Sequence, residues 1–424
     1  MIKSIVNTIS TRFFTAVFNF LILLLTANYL GPEGRGQISL LVSTLTIVLL
    51  FSSFVGGNSL IFLSPRKPTT ELLIISYLWA IIISLVCFLT LYISNAFPKI
   101  FCLHISVLAL MLSINTIHTS LLIGKEKIKA ANFINLFQVI GHFFLLAFCF
   151  LYLYRLHFST FIYSLYLTYG LSCLIGLYFL FPLISIKFSF AFRGTLIMAL
   201  TIGTIAQLAN IFQFLNYRLD VYLLDRFDSI ANLGIYSSSV SIAEAALLFG
   251  SSFALVQFSR IANSSNTDES RILTIKLTRY STLLTLIAYL PLFVFPDEFY
   301  TFLLGKDFHQ VKQVLFALFP GIFFLGSSVT ISHFFAGIGN YKMNALASFV
   351  GLIISFCLGI LFIPDYGFIA AAWISSISYS ASTCVLVIGF IKNSNTKLKE
   401  LFPKFEDLSF LQKSILNVRH KRNS

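Results

Sequence analysis

The chain of 424 residues is 57% hydrophobic and only 11% charged, with a mean hydropathy of +0.88. Those figures exclude an ordinary soluble domain. The net charge of +13 needs no nucleic-acid partner, since membrane proteins collect lysine and arginine on cytoplasmic loops.

Apolar runs of about 20 residues recur along the whole length, each long enough to cross a ~30 Å hydrocarbon core. The sequence therefore predicts an all-α polytopic membrane protein with about twelve spans. The first six lie near 9–30, 38–63, 72–94, 100–123, 132–153 and 160–182. The second six lie near 196–222, 233–258, 280–296, 314–335, 345–363 and 368–391. No short apolar region with a small-residue cleavage site opens the chain, so its first segment is expected to remain a helix.

Span 1 places Thr8, Arg12, Thr15, Asn19 and Thr26 within an arc of roughly 60° at ~100° per residue. A polar face on a spanning helix points to a wet cleft. The competing reading is that Arg12 merely snorkels to the headgroups. After span 1, the stretch Asn28-Tyr29-Leu30-Gly31-Pro32-Glu33-Gly34-Arg35-Gly36-Gln37 is expected to end the helix, turn in water and send the chain back.

That context returns 198 residues later. Gly234 stands where Gly36 stood, and Ser39, Ser43, Thr46 and Ser53 become Ser237, Ser241, Glu244 and Ser251. A second echo, at an offset of 215, aligns His118, Ile123, Gly124, Lys127 and Ala130 with His333, Ile338, Gly339, Lys342 and Ala345. Two pseudo-symmetric six-helix lobes are expected, 1–190 (spans 1–6) and 191–392 (spans 7–12), followed by a basic tail over 393–424. The link 259–279, rich in Ser, Asn and charge, reads as one of the longest connections.

With the N-terminus on the cytoplasmic side, 22 Lys and Arg fall there against 7 on the other. Both termini are then cytoplasmic, and the glycine-rich turn faces outward. Six spans per half make the halves parallel repeats, and such a pair leaves a cleft that rocking opens to alternate sides.

Polar residues inside other spans complete the candidate set. Span 7 carries Thr204, Gln207, Asn210 and Arg218 within roughly 120°. Arg218 either meets a ligand or reaches the interface and pairs with Asp220. Span 4 offers His104, Asn115 and His118 on one face, and span 10 offers His333. Each histidine is either an interhelical hydrogen-bonder or a proton carrier. Glu244 reads as the acid deepest in any span, either hydrogen-bonded to a neighbouring helix or a coupling-ion group. The six cysteines lie in apolar runs without metal-like spacing and read as core hydrophobes, so neither a metal site nor a disulfide framework is expected. No nucleotide-binding or HExxH motif appears, so no catalytic residue, cofactor or ATP-driven cycle is expected.

The turn Leu30-Gly31-Pro32-Glu33-Gly34-Arg35-Gly36 resembles the opening of Wzx-type polysaccharide-biosynthesis flippases. These belong to the multidrug/oligosaccharidyl-lipid/polysaccharide exporter superfamily. Three further stretches are similar to that family: Asn216-Tyr217-Arg218-Leu219-Asp220 leading to Leu233-Gly234-Ile235-Tyr236, Leu304-Gly305-Lys306-Asp307-Phe308, and Gly339-Asn340-Tyr341-Lys342. The resemblance covers about 1–392 as a spaced pattern. It implies a flippase that moves an undecaprenyl-pyrophosphate-linked oligosaccharide across the bacterial inner membrane for O-antigen or a similar surface polysaccharide. It maps the pyrophosphate onto Arg12 and Arg218; the polar faces of spans 1 and 7 add Asn19, Gln207 and Asn210 as cleft candidates. Glu244, His118 and His333 are then candidates for H⁺ or Na⁺ coupling, and a polysaccharide polymerase or chain-length regulator is the expected partner besides membrane lipid. Two alternatives stay open: a drug/cation antiporter of the same superfamily, and a non-transporting scaffold of a glycan-assembly complex. A lipid II flippase usually carries two additional spans.

Overall fold

The computed structural model describes residues 2–94, 98–184, 192–263, 266–404 and 407. The expected lobe boundary at 190/191, the tail from 408 onward, and the side chains of Lys3, Thr8 and Lys187 lie outside the described residues. Among those described there are helices and no strands. They are α1 (Ile2–Gly56), α2 (Asn58–Leu63), α3 (Thr69–Ser94), α4 (Lys99–Gly124), α5 (Ile128–Leu151), α6 (Phe158–Leu180) and α7 (Phe192–Phe227). There follow α8 (Ile230–Ala245), α9 (Leu248–Ala262), α10 (Thr267–Val294), α11 (Asp297–Leu304), α12 (Val311–Gly337) and α13 (Tyr341–Ser394).

Eight candidate spans are long and apolar enough to cross a membrane, or ten when each bent helix pair counts as one. Two of them, Ser10–Leu63 and Tyr341–Ser394, are 54 residues each, over twice the ~20 a crossing needs. Each has a glycine of positive φ near its middle, Gly31 (φ 66°) or Gly367 (φ 60°), and the first breaks again at Gly57, between α1 and α2. Each therefore holds two of the predicted spans, and ten becomes twelve. The expected turn over 28–37 is shorter than its composition implies. Gly31 alone departs from the helix, and Pro32 restarts it, because proline fits the first helical position where no N–H partner is needed.

The expected link over 259–279 is mostly helix. Asn266 caps α10, its side chain accepting from the amides of Asp268 and Glu269 at 3.0 and 3.2 Å. The acids of that first turn favour the positive helix end. Charge in this stretch marks a helix running on past its apolar part rather than a loop.

The chain gathers into two compact units: Met1–Ser238 with Thr301–Phe308, and Ser239–Tyr300 with His309–Ser424. In the first, Ile22, Leu41, Leu45, Ile105, Leu108 and Phe150 belong to one apolar cluster, and Val55, Leu72, Ile117 and Leu121 to another. In the second, Ile261, Ile331, Phe334 and Phe390 form the core. Helices there meet through small polar residues. Thr278 and Thr330 hydroxyls lie 2.9 Å apart, and Ser376 donates to the Ala317 carbonyl at 2.5 Å. Without a hydrophobic drive between helices in lipid, such close contacts carry the association.

Candidate functional site

The resemblance stretches 30–36, 216–220, 233–236 and 304–308 fall in the first unit, while 339–342 belongs to the second. A Cβ on Gly36 would lie 2.0 Å from the Ile230 carbonyl oxygen, and one on Gly234 would lie 1.8 Å from that of Pro32. Adding 198 to Gly36 and Pro32 gives Gly234 and Ile230, so the contact is reciprocal. α1 and α8 thus cross reciprocally at positions that the 198-residue echo aligns. Tyr236 donates its hydroxyl to Asp220 Oδ2, joining the Asn216–Asp220 and Leu233–Tyr236 stretches. Asn28 Nδ2 donates to the Leu303 carbonyl at 2.8 Å, seating the segment that runs through Gly305 (φ 115°) on the end of the first limb of α1.

Below this crossing, α1 carries its polar face. Arg12 and Asn19 are exposed and make no hydrogen bond or ion pair with described residues. Thr26 closes the face, buried, its hydroxyl donating to Ile22 O at 2.7 Å. In α7, Gln207 is buried and accepts from Asn210 Nδ2 at 3.1 Å, which joins two of the expected cleft residues directly. They sit just after a 44° bend between Phe192–Thr204 and Gln207–Phe227. Arg218 is half-buried, with Nη1 3.4 Å from the Tyr217 carbonyl.

The coupling candidates have unlike surroundings. His118 is buried, its Nε2 meets the Tyr77 hydroxyl, and its Nδ1 has no partner among the described residues. His333 is half-buried, its Nδ1 2.8 Å from the carbonyl of Val329 one turn back, with the Phe258 ring beside it. Helix-end geometry explains the difference. Lys127 N donates to Leu122 O at 2.7 Å beside Glu126 (φ 60°), and Asn340 N donates to Phe335 O at 2.8 Å beside Gly339 (φ 77°). Both are Schellman closures. Subtracting 126 from 339 gives an offset of 213, so the residue matching His118 is the buried Ile331. Glu244 is half-buried in the last turn of α8, before a 54° bend into α9. His104 bonds the Tyr166 hydroxyl at 3.0 Å.

No protein-family model matches the chain. Over 168 residues it is 21% identical to a probable low-salt glycan biosynthesis flippase of Haloferax volcanii, covering 39% of this chain. The match spans only 36% of that relative. The structure superposes on an inward-facing multidrug-resistance MATE transporter of the MOP superfamily with a TM-score of 0.75, at 13% identity. That match covers 90% of this chain and 94% of the other. Lipid II flippase MurJ, inward closed, gives 0.73 at 18% identity over 92% and 88%. A MOP-superfamily transporter from Pyrococcus furiosus gives 0.68 at 15% over 93% and 96%. The chain has the MOP-superfamily transporter fold.

Within this MOP fold the structure adds polar groups that carry no signal in the sequence. Glu71 falls one residue before the third predicted span, yet it is 3% exposed and its Oε1 accepts from Thr195 Oγ1 at 2.5 Å. His142 is buried against Phe161, ring centroids 4.9 Å apart. Tyr77, the partner of His118, stands out by no periodicity. Gly176 is equally silent: a Cβ there would come within 2.4 Å of His118 Nδ1. Gly176→Ala should therefore destabilise the protein by about 1–3 kcal/mol through overpacking, read as a lowered unfolding midpoint in detergent. Gly176→Ala paired with His118→Ala should recover most of that loss.

Proposed function

We propose that this chain is a flippase that moves an undecaprenyl-pyrophosphate-linked oligosaccharide from the inner to the outer leaflet of the bacterial inner membrane. In this reading lobes 1–190 and 191–392 alternate access to a cleft, with both termini cytoplasmic. The observation that carries it is the face of α1, where Arg12 and Asn19 stay exposed without a protein partner among the described residues. Arg12 and Arg218 serve the pyrophosphate, while Asn19, Gln207 and Asn210 serve the sugar. Arginine suits this work because its planar fork binds phosphate oxygens in pairs. The bends in α7 and between α8 and α9 fit transporter spans that break at a binding site. The likeness to a probable glycan biosynthesis flippase of Haloferax volcanii supports the same substrate class.

An inside-negative potential favours moving an anionic headgroup outward, by about 2.3 kcal/mol per charge per 100 mV. Glu244, His118 and His333 are the groups through which H⁺ or Na⁺ would add to that drive. A polysaccharide polymerase or chain-length regulator would take the product.

The test is translocation of a fluorescent short-chain lipid diphosphate oligosaccharide in proteoliposomes. Arg12→Ala and Arg218→Ala should each reduce the rate at least tenfold, a loss of about 1.4 kcal/mol of transition-state stabilisation. Arg12→Lys should recover part of it. Glu244→Gln should lose the response to an imposed pH gradient. The MATE-like fold makes cationic-dye efflux the control, and dye efflux without glycan-lipid translocation would establish the antiporter instead.

A further inference from the structure

Arg35 takes no part in that reading. It lies in the second limb of α1, 7% exposed, and its guanidinium meets only neutral partners. Nη1 donates to Thr26 Oγ1 at 3.1 Å and Nε to Ser238 Oγ at 3.4 Å. No carboxylate lies within 4.0 Å of it among the described residues. A cation taken from water without an anion is among the costlier arrangements in a protein. Packing does not demand it. The reciprocal crossing places Leu233 at the matching position of the second copy, since 35 plus 198 is 233, and Leu233 is 0% exposed. An apolar side chain fills that place equally well.

Its location gives the charge a use. Thr26 ends the polar face that begins at Arg12, and fourteen helical residues at 1.5 Å each span roughly 21 Å. Arg35 hydrogen-bonds to Thr26, so one face has a cation at each end. We propose that Arg35 is a second anion-binding group of this face. When the Gly36–Gly234 crossing loosens, the guanidinium exchanges the Thr26 and Ser238 hydroxyls for oxygens of a phosphate or diphosphate ester. Two weakly held neutral partners are easily given up for a charged one, because charge-assisted bonds are roughly twice as strong. The identity of the ester rests on the flippase reading; the exposed charge on opening does not.

The experiment measures calorimetric binding of farnesyl diphosphate and inorganic pyrophosphate to the purified protein, Arg35→Gln, Arg35→Lys and Arg12→Gln. Arg35→Gln should weaken farnesyl diphosphate at least tenfold, and Arg35→Lys should recover part of that loss. If inorganic pyrophosphate binds and loses affinity equally, the site is one for free phosphate; a loss confined to the farnesyl ester makes it a lipid-headgroup site. Either supports the proposal. Wild-type affinity in Arg35→Gln beside a loss in Arg12→Gln overturns it and leaves the flippase reading standing. Absence of diphosphate binding in the unaltered protein removes both. Arg35→Met controls for folding: a midpoint at or above wild type is expected, and a fall of more than about 4 °C would make Arg35 a structural residue.

Discussion

Alanine at Gly234 should lower the unfolding midpoint and reduce transport at least tenfold, and alanine at both Gly36 and Gly234 should cost less than the two single changes summed. The atoms in the way are backbone: Pro32 O at 1.8 Å and Gly36 N at 2.9 Å for one glycine, Ile230 O at 2.0 Å for the other. No rotamer change relieves them, so α1 and α8 must move apart. Overpacking of this kind costs typically about 1–3 kcal/mol, and more where backbone must yield. In lipid the loss is compounded, because close backbone approach is itself what holds helices together. Both substitutions open one crossing, so the second meets a gap the first has already made. Thermal unfolding of the two single variants and the double variant reads the coupling. Strict additivity would show that the two glycines belong to separate contacts.

Thr195→Val should destabilise by about 1.5–3 kcal/mol, while Glu71→Leu should be neutral or stabilising. Glu71 sits 3% exposed next to Leu72, with Leu73, Ile75 and Leu196 in the surrounding cluster. Its Oε1 has the Thr195 hydroxyl at 2.5 Å, and its Oε2 has no partner among the described residues. Removing the hydroxyl strands a buried carboxylate; removing the carboxylate strands only a hydroxyl, which can turn to a helix carbonyl. The asymmetry follows from the desolvation cost of the acid, which outweighs what one neutral donor returns. Equal losses in the two variants would show that the pair is a net stabiliser.

The spans were legible because each is a run of apolar residues of bilayer length. So was the echo of Gly36 in Gly234, which recur in step with the small polar residues around them; that the two glycines bring α1 and α8 into contact was not. The echo through His118 misled for a physical reason. It matched Gly124 to Gly339, but these glycines answer different needs. Gly124 is the last helical residue of α4, and a Cβ there would lie 2.3 Å from Ser64 Oγ. Gly339 has open space around it and is needed for its positive φ, which Glu126 takes in the first copy. A sequence does not tell a glycine chosen for closeness from one chosen for backbone sign. Arg35 and Glu71 were illegible because burial at a helix break or a helix start follows from tertiary packing, not from periodicity.

The single-residue joint at Gly31 has a mechanical meaning. A loop of several residues would act as slack, letting one limb of α1 turn while the other stood still. Here one residue separates the limbs, and proline stiffens the next. In the proposed cycle, a twist of the limb that bears Arg12 and Asn19 would pass through this single joint to the limb that bears Gly36. The helix would then work as a crank, turning a twist generated at the Arg12–Asn19 face into displacement where the backbones of α1 and α8 touch.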